Sequence, residues 1–500
     1  MSISAQEFKN FEVKNPWSGE ILGEVSYDSP RVIKRKIREL NDSPRLSAKD
    51  RISYLKDFGK YLNENSGYYA DLIARESGVP KTHVNLRMKI ISEKYKHIDD
   101  YARTVLGPEY GDNYMKLLDE EWVKDPHFPN GDYFIRKVPK GTYFLLAPNN
   151  DSPGITLISV MDLILGGNKV LVKPGTKMPF STMEVIDKMK EVGLDGYISY
   201  VNGSGPEVTD VVLSSNIDAM FFVGTSRHGK KVQEKCIESG VDFIGEYEGN
   251  NYEFFLKDIE IPKAVSDFTL STTLYNGIAC YSIKGGSVEE EYEKFKEELI
   301  RQGEIINKSI GDPTKDSTLL GPILSEKLVK NSVRRVDEAV KNGGNIILGG
   351  EPMENPNTGE YNLMPYTVLE NLSGKEELLF DETPGPVIWI EKDFKKALKW
   401  AKMNESKNPI SSVPGRNGIR YVIYTKDIER AKRIGKEYRT GLIGLSGVGI
   451  NPFQRWGGSG KSSTYDGFAF LLNESMDTQC LYEDKSLSDL LEKWHEMMNR

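Results

Sequence analysis

"DAMFFVGTSRHGKKVQEKCIESG", residues 218–240, decides how this chain folds. The apolar run that ends at Val223 is what a strand buried on both faces carries, and it stops at Gly224. A helical pattern takes over in "KKVQEKCIESG". A glycine turn between a buried strand and a helix start offers free backbone N–H groups and the positive end of the helix dipole, which together hold phosphate. A tight strand-to-helix corner without a ligand looks the same, and the spacing alone leaves both uses open.

ATP-binding P-loops need a glycine, four residues, then Gly-Lys-Ser/Thr. Gly224, Gly229 and Lys230 have that spacing, but Lys231 replaces the metal-binding hydroxyl. In "RWGGSGKSS", residues 455–463, Arg455 stands where the first glycine belongs. Neither stretch completes the motif.

On either side of the opening stretch the pattern repeats. "GDYFIRKVPKGTYFLLAP" (131–148) alternates and then turns continuously apolar, as an exposed hairpin leading into a buried strand does. "NKVLVKP" (168–174) and "GYISYVNG" (196–203) are further short strands, with helical "STMEVIDKMKEVG" (181–193) between them. This βαβ rhythm predicts an α/β fold with a doubly wound parallel sheet. A second α/β set spans about 262–445, with strands in "NIILGG", "PVIWIE" and "IRYVIYT" and a helix in "SEKLVKNSVRRVDEAVKNGG". The first hundred residues are mainly helical, and Ser47 is placed to cap a helix with Asp50 in its first turn. The polar stretch after 474 carries no clear pattern.

Five hundred residues accommodate two to four domains. Hydrophobic residues at 38% and charged residues at 28%, evenly mixed, predict a globular enzyme-sized protein rather than a disordered one. A net charge of −8 argues against nucleic acid and anionic membranes and for small-molecule partners. The start lacks a signal-peptide pattern and no apolar run reaches the roughly 20 residues of a membrane span, so a cytoplasmic location is expected. Cys236, Cys280 and Cys480 are scattered without CxxC or Cys/His clustering, and no metal site is expected.

Taken singly, the chemical residues have plain structural uses. A lone Cys280 is most simply a buried thiol, Glu246 in "DFIGEYEGNN" a solvated carboxylate, and Asn150 in "APNNDSP" a turn former. In this order, however, they resemble the aldehyde dehydrogenase superfamily from about residue 12 to 480. "VKNPWSGEILGEV" resembles its "NPATGEVIGEV", "LAPNNDSP" its "TPWNFP", and "VLVKP" the strand bearing its cofactor lysine. "FFVGTSRHGKKV" resembles "FTGSTEVGKKV", "GEYEGNN" resembles "LELGGKN", and "NGIAC" resembles "GQVC". "DETPGPV" is similar to "EEIFGPV", and "PFQRWGGSGKSS" to "PFGGVKQSGIGR".

The resemblance implies a Cys280 nucleophile, a Glu246 general base 34 residues earlier, and an Asn150 oxyanion donor. It assigns Lys173, Thr176, Gly205, Gly224, Thr225, Ser226, Gly229 and Glu382 to the dinucleotide cofactor. The implied chemistry is thiolate attack on an aldehyde, hydride transfer to leave a thioester, and hydrolysis to a carboxylic acid. Relatives that pass the acyl group to coenzyme A generally lack the glutamate base, so that alternative ranks second. A catalytically inactive relative is the third, because Ile278, Tyr275, Asn149 and Pro384 depart from the family's residues. Thr176 stands where NAD-preferring relatives often carry glutamate; with Lys173 and Lys177 nearby it predicts preference for NADP, with NAD possible. By the same resemblance, residues 1–120 and 141–248 form a Rossmann-like cofactor domain and 249–448 an α/β catalytic domain. Residues 121–140 with 474–500 form a small β oligomerisation element, giving a homodimer or homotetramer. "NESKNPISSVPGRNG" (404–418) is longer than the family's loop.

Overall fold

Ser29 and Ser47 each accept a backbone N–H from three residues on, Val32 and Asp50, and start the helices Pro30–Asp42 and Ala48–Glu64. The cap expected at Ser47 is therefore present, and it offsets one of the four N–H groups a helix start leaves unbonded. The computed structural model describes residues 9–127, 133–405, 418–440, 442–446 and 471–482.

Further helices Ser66–Ser77, Lys81–Lys96 and Ile98–Tyr110 pack around Ser152–Leu165, every residue of which is buried. This all-round apolar helix lies in the interior because no face of it suits water. Its one carboxylate, Asp162, sits 3.6 Å from Lys94 and accepts from the Tyr101 hydroxyl at 2.8 Å.

The strand ending at Val223 belongs to a five-stranded, wholly parallel sheet. Its spatial order is Ile198–Tyr200, Lys169–Lys173, Thr142–Leu146, Ala219–Val223, Asp242–Glu246. The order in which strands are added reverses at Thr142–Leu146, with two strands laid to one side and then two to the other, so the switch point lies between it and Ala219–Val223, at the edge where such sheets bind ligands. Asn150, Lys173, Gly205, Gly224 and Glu246 all fall at or just beyond the C-terminal ends of these strands.

A second sheet has seven strands in the order Asn345–Leu348, Thr367–Glu370, Val387–Glu391, Ile283–Val288, Asn251–Phe255, Arg420–Tyr424, Leu442–Leu445. Only the first of these pairs antiparallel. The sequence pattern found three of the seven and missed the central pair. Asn251–Phe255 contains Glu253, which is fully buried, and Ile283–Val288 contains buried Lys284 and two glycines. Gly285 is required by packing, because a Cβ there would lie 2.0 Å from the Trp389 ring.

The antiparallel segment expected near 121–140 is a three-stranded sheet, Met476–Tyr482, Tyr133–Pro139 and Val123–Lys124. The polar stretch after 474, unassigned from its pattern, supplies the outer strand. No helix among the described residues is long and apolar enough to cross a membrane, and no group of three metal-ligating side chains occurs among them.

Candidate active site

Strands Ala219–Val223 and Asp242–Glu246 run side by side, pairing Val223 with Glu246. The Gly224 N–H donates to the Glu246 carbonyl at 3.0 Å, so the glycine turn and the expected base are hydrogen-bonded neighbours on adjacent strands. Glu246 is 2% exposed. From it, residues 247–250 cross to the second sheet, and in crossing they pass Cys280. A Cβ added to Gly249 would lie 2.5 Å from the Cys280 carbonyl oxygen, so only glycine allows the two backbones to come this close. The Gly249 N–H also donates to Glu382 Oε2 at 2.9 Å. Glu246, Cys280 and Glu382, 136 residues apart at the extremes, thus meet at one segment.

Cys280 follows a sharply wound turn. Tyr275, Asn276 and Gly277 take successive left-handed conformations, with φ of 54°, 55° and 68°. Such a run is strained for tyrosine and persists only where surroundings hold it. Buried Asn276 does the holding: Nδ2 donates to the Gly78 and Pro322 carbonyls at 3.0 and 3.1 Å, and Oδ1 accepts from the Gly321 N–H at 2.9 Å. Lys284 inserts its ammonium between the carbonyls of Gly277 and, at 3.0 Å, Gly385, tying the cysteine turn to the turn bearing Glu382. Asn251 Nδ2 donates to the carbonyls of Cys280 and Ser282 at 2.8 and 2.9 Å. Asn150 Nδ2 donates at 2.8 Å to the carbonyl of Ile278, two residues before the thiol.

The charges around the thiol favour its protonated form. Burial pushes Cys280 well above the ordinary thiol range, and the nearby Glu382 and Glu246 carboxylates add to it, with Arg87 opposing. Arg87 itself donates to Asp151 Oδ2 at 3.1 Å and lies 5.8 Å from the Tyr281 ring centre. Arg420 approaches the same ring from 6.0 Å and donates to the Tyr281 carbonyl.

At the C-terminal edge of the five-stranded sheet, Lys173 is 5% exposed, and burial brings its pKa down to about 8 with no anion among the described residues acting on it. A buried cation lacking an anion fits the phosphate-bearing end of a dinucleotide. Thr176 Oγ1 and the Lys177 N–H both approach Asn149 Oδ1, each at 3.3 Å. Gly205 begins the helix Gly205–Leu213 with open space around it. Helix Ser226–Ser239 starts beyond Thr225, but its first N–H is occupied: Ser226 N and Oγ donate to Glu248 at 2.6 and 2.7 Å. Gly224 and Gly229 serve packing here, since a Cβ on Gly229 would meet the Tyr247 ring at 2.2 Å and one on Gly224 the Phe222 ring at 2.8 Å. The "PFQRWGGSGKSS" stretch and residues 406–417 of the long loop lie outside the described residues.

Asn251, Asn276, Lys284 and Glu248 were absent from the sequence-derived site. For Glu248 a signal existed: in "GEYEGNN" it replaces the first glycine of the matching "LELGGKN".

A wholly parallel, Rossmann-like sheet joined to a larger mixed sheet beside a cysteine turn is the architecture that carries these residues. The sequence profile of the aldehyde dehydrogenase family matches residues 3–476, and the chain belongs to that family. It is an NAD(P)-dependent aldehyde dehydrogenase. It is 22% identical to a glutarate-semialdehyde dehydrogenase of Pseudomonas putida over 91% of this chain and 90% of that one. It is also 22% identical to the D-glyceraldehyde dehydrogenase (NADP(+)) of Picrophilus torridus, over 98% and 95%. In structure it is similar to the glyceraldehyde-3-phosphate dehydrogenase GapN of Methanocaldococcus jannaschii complexed with NADP. That likeness has a TM-score of 0.78 and 21% identity, and covers 96% of this chain and 100% of that one.

Proposed function

We propose that the chain oxidises an aldehyde to its carboxylic acid through a covalent Cys280 intermediate, with NADP preferred over NAD. The observation that carries this is the meeting of Glu246, Cys280 and Glu382 about Gly249. The Cys280 thiol gives its proton to solvent and the thiolate adds to the aldehyde carbon, forming a thiohemiacetal that becomes a thioester once hydride has left the carbon. An amide nitrogen carries two hydrogens. One on Asn150 Nδ2 holds the Ile278 carbonyl and so positions the cysteine turn; the other, with the Cys280 N–H, faces the oxyanion. The bound nicotinamide supplies the hydride acceptor. Glu246, buried and on the same segment, takes a proton from the water that releases the acid. Lys173 and Thr176 would hold the adenosine ribose and a 2′-phosphate, Gly205 and the Gly224–Gly229 turn would flank the adenosine and phosphates, and Glu382 would hold the nicotinamide ribose. We assign the five-stranded sheet to the dinucleotide, the seven-stranded sheet to the nucleophile, and the three-stranded sheet to contacts between copies in a dimer or tetramer.

The test is reduction of NADP and NAD, followed at the nicotinamide absorbance, with an aldehyde panel, with and without coenzyme A, for the wild type and Cys280→Ala. Turnover without coenzyme A that disappears in the variant is the expected result. Strict dependence on coenzyme A replaces it with acyl transfer. No turnover despite dinucleotide binding identifies an inactive relative.

A further inference from the structure

Glu248 holds the position at the start of helix Ser226–Ser239 that an incoming phosphate oxygen needs. Its two carboxylate oxygens take the Ser226 N–H at 2.6 Å and the Ser226 hydroxyl at 2.7 Å, and Ser226 is 2% exposed. This helix start has no capping bond from its own N-cap, Thr225, whose hydroxyl instead contacts His228. Glu248 is therefore both the helix's cap and its bound anion. Charge-assisted bonds of this length are among the stronger hydrogen bonds a protein makes. On the far side of the switch point, Lys173 is buried with no anion among the described residues acting on it. One cation of this edge thus lacks an anion while the neighbouring phosphate donors are already filled. Glu248 also adds its charge to those that push the Glu382 carboxyl up.

On the dinucleotide assignment above, we propose that Glu248 is an internal competitor of the cofactor's pyrophosphate and sets dinucleotide affinity. The pyrophosphate reaches the Ser226 N–H only after the Glu248 side chain leaves it, so each binding event exchanges one anion for another at the helix start. The intrinsic affinity of the cradle is spent partly on this exchange. Glu248 is a positioning and affinity determinant, and takes no part in bond making.

The experiment is isothermal titration of NADP, NAD and adenosine 2′-monophosphate into the full chain, comparing wild type with Glu248→Gly and Glu248→Gln. Glycine removes the competitor. Glutamine keeps an acceptor for Ser226 and removes the charge, so it preserves the cap if the glycine variant loses the helix. The expected result is at least tenfold tighter NADP and NAD binding for Glu248→Gly, a smaller gain for Glu248→Gln, and unchanged binding of adenosine 2′-monophosphate, which has no pyrophosphate. Unchanged or weaker dinucleotide binding in both variants overturns the proposal. Equal tightening of all three ligands also overturns it, because a general loss of negative charge then explains the effect. Binding of none of them by any form refutes the dinucleotide assignment itself, a distinct outcome.

Discussion

The side-chain amide of Asn251 grips the main-chain carbonyl of Cys280 from 2.8 Å away. The same amide reaches the Ser282 carbonyl, while its oxygen accepts the N–H groups of Ile419 and Arg420 at 3.0 and 2.9 Å. Asn251 is fully buried and makes four hydrogen bonds, so it ties three strands of the second sheet to the Cys280 main chain. Asn251→Ala strands two buried carbonyls and two N–H groups, at about 1–3 kcal/mol for a group left unpaired. A thermal melt lowered by several degrees is expected, together with a faster reaction of Cys280 with iodoacetamide. A melt within a degree of the wild type contradicts this.

Burial and two carboxylates push the Cys280 thiol above its ordinary range, which disfavours the thiolate in the resting protein. Alkylation without dinucleotide should be slow and still rising at pH 9. Replacing Glu382 by glutamine removes the largest of the charges that raise the thiol, and should speed alkylation several-fold at pH 8. A plateau below pH 8 in the wild type counts against this electrostatic picture.

Lys173 gives a stability prediction whose sign follows from its pKa of about 8, below the ordinary 10.5. Between these values the unfolded chain binds the extra proton, so stability rises with pH there, and below pH 8 the buried charge costs stability throughout. Lys173→Met should therefore raise the stability at pH 7 by on the order of 1–3 kcal/mol, read as a higher melting temperature, with the advantage gone near pH 10. The same variant should bind NADP at least tenfold more weakly. A lower melt at pH 7 would falsify the assignment of an uncompensated cation.

Thr176 tests cofactor choice from the other direction. A carboxylate at this position, Thr176→Glu, repels a 2′-phosphate and accepts from ribose hydroxyls. The ratio of kcat/KM for NADP to that for NAD should fall at least tenfold, equivalent to about 1.4 kcal/mol. An unchanged ratio places the phosphate elsewhere.

What was legible in the sequence was local. Ser47 caps its helix through a residue three positions away, and buried strands such as Ala219–Val223 announce themselves by unbroken apolar runs. Cys280, Glu246 and Asn150 became visible only as a spaced set matching a known family, because each alone has an ordinary structural use. The supporting shell was invisible for a different reason. Asn251, Asn276 and Lys284 act on backbone carbonyls and N–H groups up to 198 residues away, and a carbonyl bears no mark of its side chain. The central strands hid because their inner residues, Glu253, Lys284 and Gly285, are those that strand patterns normally exclude.

The chain passes from one sheet to the other in four residues, 247 to 250, and the middle of that passage lies against the nucleophile's own carbonyl. The crossing between the two sheets therefore runs directly past Cys280, so a residue larger than glycine at position 249 would disturb the crossing and the Cys280 backbone together.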